Sequence, residues 1–276
     1  MDKLLQAEKK IYSQNGEDGV IQKLLDIIGI HNHNYVEIGC GNGDECNTRH
    51  LRENMGFRGH MFDMRHGRDS LNLHRVQVMP DNINYLLQAL KVPKVFDVLS
   101  IDIDMHDFHV WRAVMKRYRP RIVVIEYNAA IPFNKPWVVP FDPAMEWAKH
   151  DFYGAGILAM TLLGWKCGYS LVYREARGVN LFFVHNKFAA PFAEWSNDVQ
   201  LMYKKAKHHA VYTGPRKYDD AMRLLKIEPG MLPPKILSAL NAEDSYDNTS
   251  KRTSQDLGLD LGTLQGPQAA GDATTG

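Results

Sequence analysis

The chain has 276 residues, of which 45% are hydrophobic and 24% are charged, and its formal net charge is +1. This composition is typical of a soluble globular protein and excludes a chain that is disordered throughout. A net charge so close to zero also excludes binding to nucleic acid through the charge of the whole chain.

The cysteines and the N-terminus narrow the class further. Three scattered cysteines without a C-x-x-C pair exclude a disulfide framework. Charged residues occupy the positions where a signal peptide has its apolar segment, and the longest apolar run, residues 154–165, is too short to cross a bilayer. We therefore expect a soluble, cytoplasmic protein with no membrane contact.

The first elements in the chain are predicted to be helical. Residues 1–12 have the pattern of a short helix, a polar turn follows at residues 13–18, and apolar spacing over residues 19–29 predicts a second helix. The acids Glu17 and Asp18 either cap this helix or, together with Gln14, face a cofactor loop across the sheet edge.

Residues 35–43 (YVEIGCGNG) are a short apolar strand that ends in three glycines spaced two residues apart: Gly39, Gly41 and Gly43. Because glycine tolerates positive φ and has no Cβ, the backbone here can turn sharply and approach a ligand closely. Glu37 precedes the first glycine, and Asn47 lies in the helical pattern that follows. This arrangement is typical of a nucleotide-type cofactor loop after the first strand of an α/β sheet.

The rest of the first 187 residues alternates between strands and helices. Four more strands are predicted at residues 58–63, 75–79, 96–102 and 121–126, with helices at 85–89, 110–118 and 156–163, and a final hairpin pairs 167–174 with 180–185. Such alternation predicts an α/β fold with a parallel sheet, in which the hairpin adds one antiparallel strand. The loop at residues 128–143 is rich in proline and aromatic residues, which favours a lid or a substrate wall.

The C-terminal third divides into two segments. Residues 204–217, from Lys204 to Lys217, are basic and contain no acid, and residues 241–276 are polar, acidic and poor in large apolar side chains. The second segment cannot bury enough surface to offset its chain entropy. We predict one domain over residues 1–240, with its core motifs in 12–187, and a disordered acidic tail over 241–276.

The spacing of glycines and acids favours one cofactor class. Position 44, where a dehydrogenase fingerprint would have glycine, is Asp44, whereas Asp63 ends the next strand, where a carboxylate can accept both ribose hydroxyls. Met64 follows it, and Asp81 and Asn82 follow the third strand, where they are placed to contact an adenine edge. The positive sulfonium of S-adenosylmethionine suits a site lined by acids.

Several motifs, in one order, resemble the FkbM-type methyltransferases and their relatives. They are residues 13–19 (SQNGEDG), 36–39 (VEIG), 46–51 (CNTRHL), 99–104 (LSIDID), 124–128 (VIEYN) and 177–184 (RGVNLFFV). The resemblance implies the seven-stranded, Rossmann-like methyltransferase sheet, mostly parallel with one antiparallel strand in a C-terminal hairpin. It also implies S-adenosylmethionine as cofactor and transfer of methyl to oxygen, often a sugar hydroxyl. Relatives tend to have glycine after the second Ile-Asp, where this chain has Met105 and His106.

The cofactor-binding residues expected on these grounds lie on both sides of the glycine loop. They are Gln14, Glu37, Gly39, Gly41, Gly43, Asn47, Asp63, Met64, Asp81, Asn82 and Asp102.

Methyl transfer to a hydroxyl requires a base or a metal, because a sugar hydroxyl does not ionise by itself near neutral pH. Asp102 and Asp104 end the fourth strand, while Glu126 and Asn128 end the fifth. Their oxygens are of the type that Mg²⁺ binds, so one hypothesis is a metal site of Asp102, Glu126 and Asn128, with Asp104 or His106 as a possible further ligand. In the alternative, Asp102 contacts the cofactor while Asp104 and Glu126 orient the backbone.

The catalytic residues predicted from these strand ends are Asp102, Asp104, His106 and Glu126, with His106 as general base because its ordinary pKa lies near neutrality. A small-molecule or glycan acceptor is the first expectation. An RNA ribose held by the basic run of residues 204–217 is a second, and a methyltransferase fold that serves only as a binding module is a third. The sequence indicates no oligomeric state.

Overall fold

The computed structural model describes residues 1–205, 211–214 and 216–243. Residues Met1–Ala242 form one compact unit. The predicted acidic tail lies outside the described residues from 244 onward, as do residues 206–210 and 215 of the basic run, so both predictions stand as predictions. Within the described part of the chain, no helix is both long enough and apolar enough to cross a membrane.

A seven-stranded sheet forms the centre of the molecule, in the order β3-β2-β1-β4-β5-β8-β7. Neighbouring strands from β3 to β5 are parallel, and β8 is antiparallel to both β5 and β7. The predicted α/β fold class, a mostly parallel sheet with one antiparallel strand from a C-terminal hairpin, is therefore confirmed. The strands are β1 (Asn34–Ile38), β2 (Arg58–Asp63), β3 (Leu73–Arg75), β4 (Val95–Ile101), β5 (Arg119–Glu126), β7 (Tyr169–Arg174) and β8 (Asn180–His185).

Alternate side chains of the strands point to opposite faces, and each face is covered by helices. On β1, Val36 and Ile38 belong to one apolar core, whereas Tyr35 belongs to the other. The first core contains apolar residues of α4 (Ile83–Ala89), α5 (Asp107–Val114), α6 (Ile157–Lys166), α8 (Ala221–Leu225) and α9 (Pro234–Leu240). The second contains those of α2 (Glu17–Ile28) and α3 (Arg49–Asn54). The shorter helices are α1 (Asp2–Leu5) and α7 (Val199–Met202).

Three predicted elements differ from the structure. The third strand was expected over 75–79, but pairing ends at Arg75, because residues 77–79 leave the sheet and Met79 N–H and Gln77 C=O bond the side chain of Asn82. The first helix covers only Asp2–Leu5. The predicted loop at 128–143 contains a strand, β6 (Trp137–Val138), that pairs with β9 (Asp219–Asp220) in a separate two-stranded sheet.

Candidate functional site

A cleft of about 430 Å³ lies at the carboxyl ends of the central strands. The strand order reverses between β1 and β4, and ligands of open α/β sheets bind outside the strand ends at such a reversal. Ten of the predicted site residues line this cleft: Gln14, Glu37, Gly39, Gly41, Asn47, Asp63, Met64, Asp102, Asp104 and His106.

The two glycines that line the cleft have different roles. Gly39 has φ +82°, and a Cβ built on it would lie 1.6 Å from the Asp102 carbonyl oxygen. Because glycine has no Cβ, the ends of β1 and β4 can approach closely. Gly41 has φ +55°, and a Cβ built there meets no atom within 4 Å, so this glycine leaves open space inside the cleft. Gly43 does not line the cleft; a Cβ on it would contact Leu71 and Met61.

Glu37 connects β1 to the start of α3. Its carboxylate accepts hydrogen bonds from the backbone N–H groups of Asn47 (2.7 Å) and Thr48 (3.0 Å) and from the Thr48 hydroxyl (2.5 Å). Asn47 in turn donates from Nδ2 to the Ser100 hydroxyl on β4 at 3.0 Å. Burial raises the pKa of Glu37, although these hydrogen bonds oppose the rise. Glu37 therefore fixes the loop geometry with both of its oxygens.

Asp63 is the last residue of β2 and lines the cleft. Its Oδ1 accepts hydrogen bonds from the backbone N–H groups of Arg65 (2.8 Å) and His66 (2.9 Å) and from the His66 ring (2.9 Å). Burial raises the pKa of Asp63, but these hydrogen bonds outweigh it and bring the pKa below its ordinary value. The carboxylate is thus charged and oriented at the rim of the cleft.

The residues predicted to contact an adenine edge lie away from the cleft. Asn82 uses its side chain to bond Gln77 and Met79, and the exposed Asp81 does not line the cleft either. The cleft wall there is formed instead by the segment 76–79. The prediction placed the end of the third strand too late, which moved the expected contact by several residues along the chain.

Three carboxylates converge near the other end of the cleft, where Asp102 and Asp104 line the cleft and Glu126, which was also predicted as a site residue, does not. One oxygen from each of Asp102, Asp104 and Glu126 lies within 4.8 Å of the others. Asp104 has φ +67°, an uncommon conformation for a residue other than glycine, and this turn brings its side chain back toward the strand ends. Burial and the neighbouring acids raise the pKa of Asp102 and of Glu126 well above the usual range.

Two further observations describe the electrostatics of this group. Glu126 Oε2 and Asp107 Oδ2 are buried without a hydrogen-bond partner among the described residues. Burial raises the pKa of Asp107 to about 7. Carboxylates packed so closely repel one another when ionised, so the group must hold protons or a cation.

His106 also lines the cleft, and its hydrogen bond determines its tautomer. Nε2 lies 2.8 Å from the Asp142 carbonyl oxygen, which can only accept, so Nε2 carries the proton. Nδ1 then has a lone pair, and it is buried without a partner among the described residues. Burial lowers the pKa of His106, which favours this neutral form.

Asn128 was predicted as a metal ligand, but its side chain makes hydrogen bonds to the backbone of neighbouring loops instead. Its Nδ2 donates to the carbonyl oxygens of Asp151 (2.9 Å) and Tyr153 (2.8 Å), and its Oδ1 accepts from Ala130 N–H (2.9 Å). It is fully buried and does not line the cleft. These bonds hold the segment after β6 against the end of β5.

Sequence reasoning missed several residues that line the cleft. They include Met105, Met145, Glu146 and Asn180. Asn180 belongs to the motif 177–184, so the resemblance contained a signal for it. Its position at the cleft depends on the pairing of β8 with β5, which a single sequence does not provide.

Comparisons with known proteins gave only distant structural matches. No protein-family model matches the chain, and no curated protein matches it. A SAM-dependent methyltransferase from Aquifex aeolicus is 11% identical, with a TM-score of 0.35 over 66% of this chain and 96% of the other. The N-terminal domain of EvdMO1, crystallised with SAH and D-fucose, is 10% identical, with a TM-score of 0.35 over 61% and 82%. The MycE methyltransferase, in complex with Mg and SAH, is 13% identical, with a TM-score of 0.32 over 74% and 54%. At such values the fold assignment rests on the sheet topology itself.

Proposed function

We propose that this protein is an S-adenosylmethionine-dependent methyltransferase that methylates a hydroxyl oxygen of a sugar or related small molecule, with Mg²⁺ beside the acceptor. The observation that carries the proposal is one cleft that contains Asp63 at one end, Gly41 in the middle and the acids Asp102 and Asp104 at the other. A nucleoside and an acid-bound acceptor can thus occupy one continuous space.

The residues present fit the methyl donor. The open space at Gly41 leaves room for the ligand, the oriented carboxylate of Asp63 accepts ribose hydroxyls, and the segment 76–79 forms part of the cleft wall. When bound, S-adenosylmethionine supplies an electrophilic methyl group on a positively charged sulfur, whose charge the acidic end of the cleft stabilises.

The acids also fit a divalent cation. Asp102, Asp104 and Glu126 present only oxygen atoms, within 4.8 Å of one another, and Glu126 Oε2 is buried without a donor among the described residues. Such a set of hard oxygen ligands is what Mg²⁺ prefers. A cation there would supply positive charge next to the acceptor oxygen and would relieve the repulsion among the three carboxylates.

His106 provides the base. His106 lines the cleft, and its neutral ring has a lone pair on Nδ1, since Nε2–H donates to the Asp142 carbonyl. Nδ1 would take the proton of the acceptor hydroxyl while bound S-adenosylmethionine would supply the methyl group to that oxygen and leave as S-adenosylhomocysteine. Met105 and Trp147 line the same end of the cleft and reduce the access of water to the acceptor.

The RNA alternative gains no support from the described residues. Lys204 donates from Nζ to the carbonyl of Ala176, and Arg216 pairs with Asp151 at 2.6 Å. These two members of the basic run therefore make contacts inside the protein.

The test is calorimetry with S-adenosylmethionine, followed by transfer of a labelled methyl group to glycans, nucleosides, capped RNA and small phenols. We expect S-adenosylmethionine to bind and the labelled methyl group to appear on a hydroxyl of a compound that is neither RNA nor a phenol. Turnover should be lost in EDTA and should return when Mg²⁺ is added. Absence of binding to the folded protein would favour a binding module. Full turnover in EDTA would contradict the role of the metal. A labelled ribose in RNA would show that the acceptor is RNA and not a small molecule.

Asp63→Ala tests the donor end separately. Loss of charge-assisted hydrogen bonds to ribose is expected to weaken binding by about tenfold or more. Asp69→Ala is the matched control, because Asp69 is exposed on the segment after β2 and does not line the cleft. Unchanged affinity in Asp63→Ala would show that another residue holds the ribose.

A further inference from the structure

Three side chains form a row across three adjacent strands at the acidic end of the cleft. Ile101 pairs with Ile125 in the parallel β4–β5 ladder, so Asp102 and Glu126 follow at the same level. Glu126 pairs directly with Asn180 in the antiparallel β5–β8 ladder. Directly paired residues of neighbouring strands point to the same face, so Asn180 lies beside Glu126 on the side of the acids.

The amide of Asn180 has a determined orientation. Its Nδ2 donates to Glu17 Oε1 at 3.0 Å. Glu17 also accepts hydrogen bonds from the backbone N–H groups of Asn15 (2.8 Å) and Gly16 (2.9 Å). Because a carboxylate cannot donate, the nitrogen of Asn180 must face Glu17 and its oxygen must face the other way.

The oxygen of Asn180 has no donor. Asn180 is 2% exposed, and its Oδ1 is buried without a partner among the described residues. Glu126 Oε2, on the directly paired residue, is in the same condition. A buried oxygen without a donor lowers stability, and a cation satisfies several such oxygens at once.

We propose that Asn180 Oδ1 is a fourth protein oxygen ligand of the divalent cation held by Asp102, Asp104 and Glu126, and that Glu17 is the positioning residue that orients it. This inference rests on the cation of the proposed function and gives the amide role to Asn180 instead of Asn128. A neutral amide adds a ligand without adding a further negative charge to an already crowded acidic group.

The proposal makes the start of α2 part of the cation site. Glu17 is the first residue of that helix, and its carboxylate connects the turn at residues 15–16 to the first residue of β8. Partners that orient a metal ligand commonly change metal affinity by about 10- to 100-fold when they are removed.

The experiment measures Mn²⁺ binding to the full chain from the electron paramagnetic resonance signal of free Mn²⁺. Asn180→Leu keeps the size of the side chain and removes the oxygen, so we expect Mn²⁺ affinity to fall by about tenfold or more. In metal-free buffer, the variant loses only the hydrogen bond to Glu17, because the removed oxygen had no donor. Its melting temperature should therefore fall only slightly, and the variant is expected to fold.

Asn84→Leu is the matched control. Asn84 also donates from Nδ2 to a carbonyl, that of Ala113 at 2.7 Å, and its Oδ1 is also buried without a partner among the described residues, but it lies on α4 and does not line the cleft. Mn²⁺ affinity should be unchanged in this variant.

Glu17→Gln is the second test of the orientation. A glutamine amide in place of this carboxylate can donate to Asn180 and turn its oxygen away from the acids, so we expect a several-fold weaker Mn²⁺ affinity.

The outcomes separate this inference from the proposed function. Wild-type Mn²⁺ affinity in both Asn180→Leu and Glu17→Gln would overturn the inference and leave the cation site standing. No Mn²⁺ binding by the wild type would overturn both the inference and the cation of the proposed function. Weaker S-adenosylmethionine binding by Asn180→Leu in metal-free buffer, with Mn²⁺ affinity unchanged, would assign the oxygen to the ammonium group of the methyl donor instead.

Discussion

At the residue scale, two glycines of the loop, Gly39 and Gly41, are required for different physical reasons. Gly39 is required by the backbone of β4, because any side chain would overlap the Asp102 carbonyl. A Cβ on Gly41 would meet no atom of the described residues within 4 Å, so only its φ of +55° favours glycine there. Gly41 lines the cleft, and the open space beside it is part of the cleft. The second glycine is thus the more informative about a ligand.

Gly41→Val is expected to abolish or strongly weaken S-adenosylmethionine binding while the protein remains folded. The valine side chain would enter the cleft, and its positive φ costs on the order of 1–2 kcal/mol of stability. Gly56→Val is the control, because Gly56 has φ +68° and equally open surroundings but does not line the cleft. Calorimetry with both variants separates the ligand effect from backbone strain; equal affinity in the two would contradict the cofactor role of the loop.

At the scale of elements, α5 attaches the segment after β6 to the body of the protein. His106 and His109 on this part of the chain contact the carbonyl oxygens of Asp142 and Val139 at 2.8 and 2.9 Å. Phe141 packs against both rings. The segment after β6 is thus held by two imidazoles, and burial favours the neutral form of both rings.

His109 gives this attachment a pH dependence. Burial lowers the pKa of His109 to about 4, and Arg112 and His106 contribute to this lowering, while the Val139 carbonyl and Asp219 oppose it. The unfolded chain takes up this proton near pH 6.5, before the folded protein does. Stability is therefore lost as the pH falls from about 6.5 to about 4, by on the order of 3 kcal/mol for this group.

His109→Gln tests this dependence, because glutamine can donate to the Val139 carbonyl but does not titrate. The free energy of unfolding, measured by urea denaturation between pH 4 and pH 7, should fall less in the variant than in the wild type. The acids of the cleft act in the opposite direction, since Asp107 has its pKa raised to about 7, so the difference between the two proteins is the quantity to compare. Parallel pH profiles would contradict the assignment to His109.

At the scale of the whole molecule, a buried ion pair joins α2 to the centre of the sheet. Asp97 on β4 is fully buried, lies 3.0 Å from Arg121 on β5, and accepts hydrogen bonds from the N–H groups of residues 31–33. Arg121 donates to the carbonyls of Ile28 and Gly29 at the end of α2. This pair fixes one end of the helix whose other end contains Glu17.

Asp97→Ala is expected to lower the free energy of unfolding by about 3–5 kcal/mol, because it leaves the buried charge of Arg121 and three N–H groups without an acceptor. Lys10→Ala, which breaks the exposed pair with Glu45 at 3.4 Å, should change it by less than about 1 kcal/mol. Chemical denaturation of both variants measures the contrast. A small effect in Asp97→Ala would mean that water replaces the lost carboxylate.

Much of this molecule follows from local patterns in the sequence. Apolar strands separated by helical spacing predict the parallel sheet, and the bounds of β2 and β8 agree with the structure to the residue. Acids at the ends of β4 and β5 were expected to meet because these strands are neighbours in the sheet that the resemblance implies, and Asp102, Asp104 and Glu126 do lie together. Periodicity and strand ends are local properties, so one sequence is enough to locate them.

Tertiary structure alone decided which neighbours these residues have. Asn128 was expected beside the acids, yet it holds the loop at Asp151 and Tyr153, whereas Asn180 stands next to Glu126. The sequence determined the strand ends and the glycine loop, because these depend on residues close together in the chain. The direction of an amide depends on a pair such as Glu17 and Asn180, separated by 163 positions, and only the folded sheet brings such a pair into contact.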